Sequence, residues 1–316
     1  MNDLIKKISG DLRLDYDYLV GIVNRANYYY KTYPIKKKNG GERWIAQPSP
    51  ELKTLQYWVV DRILCNYPVS ESAFAYNKGD SIKKHAEFHK NARHFFHTDI
   101  VHFFESINSK MLERILKTNL EPLSQISDHP EEVIDTVCKI CFRFDRLCIG
   151  AVSSPRISNL VMYEFDSTLF DYCKKQGLRY SRYADDIYIS SRKYIPKDIL
   201  EYVDTLLSSQ GLKQNWEKTW FCSHKNRCNI TGLIITDEQT VSVGTETRSK
   251  IKKQLYDKLI HGRGDEKFIL GYLSFLKDIE PDTYNKLIIK YSGYCEGDIL
   301  DALKDPLSET TIVIPK

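Results

Sequence analysis

The 316-residue sequence predicts an α+β fold in which strands and helices alternate before a helical lobe. Aromatic and β-branched residues concentrate at 95–100 and 178–191, and residues 187–190 alternate apolar and polar side chains as a strand does. Elsewhere apolar residues recur at helical spacing, and after Val243 helical patterns predominate. These observations predict a mixed core followed by a separate helical segment.

Each element follows from a local pattern. Helices are predicted at 1–30, 50–65, 130–144 and 157–172, and strands at 95–100 and 178–191. The helix at 50–65 begins after the turn-forming Pro-Ser-Pro of 48–50 and carries Leu52, Leu55 and Val59 on one face. No period of 20 to 50 residues repeats and no Pro-rich or Gly/Ser-rich linker interrupts the chain. One continuous multi-lobed unit is the simplest organisation.

Composition excludes several classes of protein. With 42% hydrophobic and 28% charged residues, the chain can bury a large core, which excludes a minimal peptide or a disordered tail. The net charge of +4 is too small to indicate a nucleic-acid partner by itself. The apolar runs fall far below the roughly 18 residues of a membrane span. With no visible secretory signal and eight irregularly spaced cysteines, we expect a soluble cytoplasmic protein with reduced thiols.

An acidic pair interrupts a strand-like segment. Asp185 and Asp186 lie between the apolar arms of residues 180–189, although Asp is depleted in strands and adjacent carboxylates repel each other. For the dipeptide taken alone, a solvated hairpin turn is the better explanation. Asp99 ends another apolar segment and could likewise be an ordinary strand-end residue. If the two segments are neighbouring strands, the three carboxylates converge into an oxygen-ligand set suited to Mg²⁺ and phosphate transfer.

Four motifs in this order resemble those of reverse transcriptases. They are Asp-Ile-Val-His-Phe-Phe at 99–104, Gly-Ala-Val-Ser-Ser-Pro at 150–155, Tyr-Ala-Asp-Asp at 183–186 and the segment 211–219, which ends in Lys-Thr. The flanks are similar to bacterial retron reverse transcriptases: residues 43–53 to their fingers, 85–89 to their Asn-Ala-x-x-His element, 230–232 to their Val-Thr-Gly element and 271–275 to their thumb. The resemblance spans residues 28–291.

This resemblance implies a right-hand polymerase. Residues 1–92, with part of 108–150, would form the fingers, residues 93–240 the palm with an antiparallel sheet backed by helices, and residues 241–316 a helical thumb. The enzyme would be an RNA-directed DNA polymerase that uses two Mg²⁺ ions about 3.5 to 4 Å apart. Mn²⁺ would be able to substitute for Mg²⁺.

The resemblance also assigns residues to roles. The catalytic and metal-site residues would be Asp99, Asp185 and Asp186, with Ile100 beside them at the metal site. The nucleotide-binding residues would be Lys36, Arg43, Phe104, Gly150 and Lys218. The template or RNA contacts would be Ser153, Ser154, Pro155, Asn159, His89, Thr231, Gly232, Arg248, Lys250 and Lys253.

Some of these residues also have ordinary explanations. Phe104 would exclude a ribonucleotide 2′-hydroxyl, or it packs in the core. Lys218 would protonate the departing pyrophosphate, or it is solvated. Lys36 and Arg43 flank a Lys-Lys-Asn-Gly-Gly turn that would close over a triphosphate, and its flexible Gly pair permits that movement. The Gly-x-x-Ser-Ser-Pro segment would approach template and nucleotide, or it simply begins a helix.

Two departures from the family pattern concern nucleotide and RNA contacts. Ile149 stands where many reverse transcriptases have Gln, and its side chain cannot hydrogen-bond a nucleotide; His85 replaces the retron Asn.

Two cysteine groups have zinc-like features. Cys138 and Cys141 fit core packing better, and a set of Cys222, His224 and Cys228 lacks a fourth ligand.

The expected function is that of a retron enzyme, which would begin DNA synthesis from a guanosine 2′-hydroxyl in its own structured noncoding RNA. The expected partners are this RNA, its RNA-linked DNA product, dNTPs and a separate effector protein in antiphage defence, with no membrane. Three alternatives remain: another bacterial reverse transcriptase of abortive-infection or intron-related type, an RNA and effector scaffold in which polymerisation is incidental, and a structural protein whose acidic pairs are solvated turns.

Overall fold

The computed structural model describes residues 2–37, 40–223, 228–295 and 299–304. In chain order the helices are Asp3–Leu12 (α1), Tyr16–Asn24 (α2), Pro50–Arg62 (α3), Ile82–His89 (α4), Phe103–Ser106 (α5), Ser109–Thr118 (α6), Glu121–Ser124 (α7), Pro130–Cys141 (α8), Ser153–Val161 (α9), Tyr163–Lys175 (α10), Ile199–Ser209 (α11), Thr245–His261 (α12), Glu266–Ile279 (α13), Pro281–Ser292 (α14) and Ile299–Lys304 (α15). The strands are Tyr30–Lys36 (β1), Glu42–Pro48 (β2), His94–Asp99 (β3), Arg179–Tyr183 (β4), Asp186–Ser191 (β5), Trp220–Ser223 (β6), Cys228–Ile230 (β7), Leu233–Ile235 (β8) and Val241–Ser242 (β9).

The chain divides into two compact units. The first comprises Met1–Asp80 and His94–Phe221, and the second comprises Ser81–Arg93 and Cys222–Lys316. The second unit therefore takes in α4 and the small sheet of β7, β8 and β9 together with the C-terminal helices. In the described part of the chain, no helix is long and apolar enough to cross a membrane.

A four-stranded sheet lies at the centre of the first unit. Its strand order is β4-β5-β3-β6, and β5 pairs antiparallel with both β3 and β4. The two predicted strand regions are therefore neighbours, and the segment 178–191 is a hairpin of two strands. The register places Asp99 opposite Asp186. Helices α8, α9 and α10 contribute buried apolar side chains to the same core as Phe96, Ile187 and Ile189.

Capping residues explain where the predicted helices break. The region 1–30 contains two helices rather than one, because Arg13 adopts a left-handed conformation with φ 54° at the end of α1 and the Asp15 side chain caps α2. The Ser49 side chain caps α3, and Pro50 occupies its first turn. The region 157–172 is divided between α9 and α10 at Met162.

Strands β1 and β2 form a two-stranded hairpin. Ile35 pairs with Arg43 and Lys36 with Glu42 at its far end, where most side chains are exposed. The N–H of Lys37 donates to the carbonyl of Gly41, and both Gly40 and Gly41 have positive φ. Residues 38 and 39 of the predicted Lys-Lys-Asn-Gly-Gly turn lie outside the described residues.

Glu280 connects several elements of the second unit. Its carboxylate accepts hydrogen bonds from the Ser242 hydroxyl, the Val243 N–H and the Thr283 hydroxyl, each 2.8 Å long, and it pairs with Arg248 at 3.5 Å. Partial burial raises the pKa of Glu280, but these hydrogen bonds outweigh burial, so the pKa is lowered overall. The carboxylate thus joins β9 and the beginnings of α12 and α14.

Candidate active site

The three candidate carboxylates converge at one end of the central sheet. Asp99 is the last residue of β3, Asp186 is the first residue of β5, and their Cα atoms are paired in the register. Asp185 lies in the turn between β4 and β5, close enough to hydrogen-bond the Asp99 side chain. The convergence predicted from the sequence is therefore present in the structure.

A strained turn holds Asp185 in place. Ala184 has φ 57° although it carries a Cβ, and its side chain is buried. The N–H of Ile100 donates to the Asp185 carbonyl at 3.1 Å, which ties the turn to the residue after β3. Such backbone conformations cost of the order of 1–3 kcal/mol and persist only when neighbouring structure imposes them.

Negative charge is concentrated at this turn. Burial raises the pKa of Asp185 to about 6, and the charges of Asp186 and Asp99 add to the effect. Three carboxylates this close together form a site that a cation would stabilise. Oxygen ligands of this kind suit Mg²⁺ better than zinc or copper.

Lys218 and Asn215 contact Asp99 directly. Lys218 Nζ lies 2.8 Å from Asp99 Oδ2, and Asn215 Nδ2 donates to Asp99 Oδ1 at 3.0 Å. Partial burial lowers the pKa of Lys218, but the contact with Asp99 and the other two carboxylates outweigh it and raise the pKa. Although the Lys218 side chain is 60% exposed, its ammonium group is therefore directed at the carboxylates and not at solvent alone.

A buried hydrogen-bond network around Arg182 supports the turn that carries Asp185. Arg182 is fully buried, and its guanidinium donates to Asp166 through two nitrogens, at 2.8 and 2.7 Å. It also donates to the carbonyl of Ala184 at 2.9 Å and to Asn159 Oδ1 at 3.2 Å. The network thus links α9 and α10 to the strained residue before Asp185. The sequence gives little sign of it beyond a charged residue within an apolar strand.

His97 is a further side chain that the sequence analysis did not identify. Its Nε2 lies 2.8 Å from Asp186 Oδ1, and its Nδ1 lies 3.1 Å from the backbone carbonyl of Lys218. The ring stacks on Trp220 with centroids 5.0 Å apart. The alternation of strand β3 could have suggested it, because residues 97 and 99 point to the same face of a strand.

The donor set fits a hard divalent cation, but the carboxylates have other partners here. Among the described residues, no group of three or more His, Cys, Asp or Glu side chains is already arranged as a metal site. Lys218 contacts Asp99, so a cation would have to displace this ammonium group, and His97 contacts one oxygen of Asp186, Oδ1. The Ile100 side chain is a buried hydrocarbon without a ligand atom, so only its backbone carbonyl could contribute.

The predicted nucleotide-binding residues have different surroundings. Lys36 and Arg43 are exposed near the far end of the β1-β2 hairpin. The half-buried ring of Phe104 lies 5.5 Å from Phe103 and 6.4 Å from Tyr76, measured between centroids, so it packs partly against the core.

Gly150 is required by the protein's own packing. Its φ is 112°, and a Cβ there would lie 2.9 Å from the Ile45 side chain and 3.0 Å from the carbonyl oxygen of Ala46. The carbonyl of the preceding residue, Ile149, accepts a hydrogen bond from the Ala46 N–H at 2.8 Å. The close approach that needs glycine is therefore made by strand β2. Ile149, which stands where many reverse transcriptases have Gln, thus contacts strand β2 through its backbone carbonyl.

Several predicted template contacts have buried side chains. Ser153, Ser154 and Asn159 are at most 1% exposed. Ser154 donates to the Cys148 carbonyl at 2.9 Å, and Asn159 donates to the Ala75 carbonyl at 2.9 Å. Their hydrogen-bonding groups are directed into the protein, so a template contact at these positions would involve the backbone. Pro155 is half-buried.

The predicted RNA contacts of the second unit also divide by exposure. His89 is fully buried and packs edge-on against His85, whereas Gly232, Lys250 and Lys253 are exposed. Thr231 Oγ1 lies 3.3 Å from His85 Nδ1. Arg248 is committed to Glu280, and Lys250 lies over the rings of Phe268 and Tyr272.

The cysteine groups have the surroundings of core thiols. Cys138 and Cys141 lie on α8, and burial raises the pKa of Cys138 to about 12 and also raises that of Cys141. Burial raises the pKa of Cys222 and Cys228 as well, and these two thiols are hydrogen-bonded to each other. His224, the other candidate ligand, lies outside the described residues. Protonated thiols are poor zinc ligands.

Comparison with known proteins agrees with this geometry. A family model described as reverse transcriptase (RNA-dependent DNA polymerase) matches residues 35–235. The Ec86 retron reverse transcriptase of Escherichia coli is 28% identical over 91% of this chain and 88% of its own. The Ec73 retron reverse transcriptase of the same organism is 31% identical over 83% of this chain and 86% of its own.

A solved structure supports the fold. The apo telomerase of Candida tropicalis superposes with a TM-score of 0.51 at 12% identity, over 83% of this chain and 58% of the telomerase chain. This chain thus spans little more than half of that structure, and the likeness concerns the fold alone. It agrees with the α+β, right-hand polymerase fold expected from the sequence. The chain belongs to the reverse transcriptase family of RNA-directed DNA polymerases and, within it, to the retron reverse transcriptases.

Proposed function

We propose that this enzyme copies part of a structured noncoding RNA into single-stranded DNA that stays linked to the RNA, with Asp99, Asp185 and Asp186 as its catalytic residues. The observation that carries the proposal is the convergence of these three carboxylates beside Lys218. Retron relatives of similar length support the choice of RNA, since this chain covers 88% of one and 86% of another.

The carboxylates would hold two Mg²⁺ ions, for which Mn²⁺ can substitute. When bound, the ions supply activation of the attacking hydroxyl and neutralise charge on the leaving pyrophosphate. Asp185 and Asp186 orient their oxygens from the strained turn and from strand β5. Lys218 protonates the leaving pyrophosphate or offsets its negative charge, because Lys218 Nζ is already directed at this group of carboxylates.

Other side chains bind the nucleotide and the nucleic acid. Lys36 and Arg43 approach the triphosphate from the β1-β2 hairpin, Phe104 excludes a 2′-hydroxyl, and the backbone around Gly150 contacts nucleotide and template. Gly232, Lys250 and Lys253 contribute exposed surface for RNA backbone. The domain assignment is fingers at 1–92 with part of 108–150, palm at 93–240 and thumb at 241–316.

Extension of a DNA primer on an RNA template tests the chemistry. Wild-type protein and Asp185→Asn are compared with Mg²⁺ and dNTPs, each with an EDTA control. We expect metal-dependent extension by the wild type alone. Equal extension by both proteins would show that Asp185 is not catalytic, and synthesis by neither on any template would reject the polymerase.

The noncoding RNA encoded beside the gene tests the retron assignment. With this RNA and no added primer, we expect DNA that becomes free of RNA only after cleavage of a 2′–5′ linkage. Extension of added primers without such a product would favour another type of bacterial reverse transcriptase.

The antiphage role and the separate effector are part of the proposal. Phage protection that survives Asp185→Asn together with Asp186→Asn would favour the scaffold alternative.

A further inference from the structure

His97 joins two parts of the active site that are far apart in the sequence. It lies on strand β3, two residues before Asp99, and is 7% exposed. One ring nitrogen contacts the carboxylate of Asp186 at 2.8 Å, and the other contacts the backbone carbonyl of Lys218 at 3.1 Å. A carbonyl and a carboxylate both accept hydrogen bonds, so the two contacts together need an N–H at each ring nitrogen, and the ring is oriented with Nε2 toward Asp186.

The ring itself has little freedom to turn. Trp220 stacks on it with an interplanar angle of 21°, and the Tyr188 ring lies 4.6 Å away on β5. Both neighbours are aromatic, so they fix the plane of the imidazole without competing for its nitrogens. The hydrogen bond to Asp186 therefore starts from a side chain whose position is already determined.

Asp186 needs such a partner more than its two neighbours do. Its side chain is 34% exposed, whereas that of Asp99 is 6% exposed and bound by Lys218 and Asn215. Repulsion from Asp99 and Asp185 favours rotation of the Asp186 carboxylate toward solvent. The contact with His97 opposes that rotation.

We propose that His97 is a positioning residue that holds the Asp186 carboxylate in place for a divalent cation and ties it to the segment that carries Lys218. This proposal rests on the proposed function. Partners that orient ligating carboxylates and imidazoles typically change metal affinity or activity by about 10- to 100-fold when they are removed.

His97→Phe separates the hydrogen bonds from the stacking, because a phenyl ring keeps the contact with Trp220 and removes both nitrogens. His94→Phe is the matched control, since His94 begins the same strand and its ring lies near Tyr194. Binding of Mn²⁺ to each full-length protein is followed by electron paramagnetic resonance, without nucleic acid or nucleotide. Unfolding in urea is measured for the same samples.

We expect His97→Phe to bind Mn²⁺ about 10-fold more weakly than wild type or His94→Phe, with similar unfolding. In primer extension, the half-saturating Mg²⁺ concentration should rise by a similar factor, and much of the rate should return at high Mg²⁺. Unchanged Mn²⁺ affinity in His97→Phe would overturn the proposal.

A second variant keeps the test decisive if His97→Phe does not fold. The amide of His97→Gln can hold only one of the two contacts at a time, so a several-fold loss of Mn²⁺ affinity is expected, and wild-type affinity would overturn the proposal. Failure of the proposed function looks different. In that case wild-type protein itself neither binds Mn²⁺ at the carboxylates nor extends a primer.

Discussion

Lys218 contacts a carboxylate that would also hold a cation, so its surroundings depend on whether the cation is bound. Its ammonium group pairs with Asp99 at 2.8 Å, and the three carboxylates together raise its pKa. A cation bound at Asp99 would compete with this ammonium group and would free it to face the substrate. Under the proposed function, the same residue would compensate charge in the absence of the ions and would be available as an acid in their presence.

Lys218→Ala should lower kcat for primer extension by about 100-fold at saturating Mg²⁺, because a positioned general acid contributes about 10²- to 10⁴-fold. The half-saturating Mg²⁺ concentration should fall, since the competitor for Asp99 is gone. Steady-state extension over a range of Mg²⁺ concentrations measures both. Lys213→Ala, an exposed lysine of the same segment, is the control and should resemble wild type. An unchanged kcat would remove Lys218 from the chemistry.

Asp185 should destabilise the protein in the absence of divalent ions. Its pKa is raised from 3.8 to about 6, so the folded state binds a proton more tightly than the unfolded state does. Stability from this group is present below pH 3.8 and is lost as the pH rises through about 6. In EDTA at pH 8, Asp185→Asn should raise the free energy of unfolding by roughly 1–2 kcal/mol, allowing for solvent screening.

Urea unfolding of Asp185→Asn at pH 5 and pH 8 measures this effect. The gain should shrink at the lower pH, and Asp171→Asn, at an exposed position on α10, should change stability little at either pH. A loss of stability at pH 8 would show that burial and repulsion do not disfavour the ionised Asp185 carboxylate.

At the scale of elements, strand β2 packs against the loop before α9 at Gly150. Among the described glycines of the first unit, Gly150 is the one where an added Cβ would have the closest neighbours. A Cβ at Gly150 would meet Ile45 and the Ala46 carbonyl within 3.0 Å, and the positive φ disfavours any other residue. The hydrogen bond from Ala46 to Ile149 runs beside this contact. Two parts of the chain that the sequence separates by a hundred residues are thus fixed to each other.

Gly150→Ala should lower the free energy of unfolding by about 1–3 kcal/mol, because it adds strain and a backbone overlap at once. Gly10→Ala is the matched control. Gly10 lies on α1, and a Cβ at this position would have no other atom within 4 Å, so alanine should stabilise the protein by up to about 1 kcal/mol through helix propensity. Thermal unfolding of both variants gives the comparison, and equal signs would contradict the packing argument.

The sequence predicted elements better than it predicted contacts. The strand alternation at 187–190 and the capped start of α3 depend on neighbouring residues, so local patterns identified them. The carboxylates were found because their motifs have a fixed order. His97 and Arg182 were missed because their partners lie 89 and 16 residues away, respectively. The burial of Ser153 and Asn159 could not be predicted either, because sequence alone does not show which way a polar side chain on a helix points.

At the scale of the whole molecule, two compact units each have an acidic residue that connects several elements. Asp166 binds Arg182 and Tyr180 in the first unit, and Glu280 joins β9, α12 and α14 in the second. Asp166 and Arg182 are both fully buried, so either charge left alone would be costly. Stability of the turn that carries Asp185 therefore depends on an ion pair that is itself fully buried.

Asp166→Asn should lower the free energy of unfolding by about 3 kcal/mol, because it leaves Arg182 buried without a full counter-charge. Asp135→Asn removes an ion pair with Lys139 in which the Asp135 and Lys139 side chains are 63% and 50% exposed. It should lower the free energy of unfolding by less than about 1 kcal/mol. Hydrogen exchange should show the loss of protection in α9, α10 and β4 before it appears in α12 to α14. Uniform loss over both units would show that they unfold together.

The contact of Gly150 with strand β2 also limits how the β1-β2 hairpin can move. Ile45 and Ala46 are fixed against the loop, so bending has to take place beyond them, toward Glu42. Three residues of extended strand span roughly 10 Å at about 3.4 Å per residue. Any bending of this hairpin would thus occur close to its tip, and it would move Lys36 and Arg43 without moving Ile45 and Ala46.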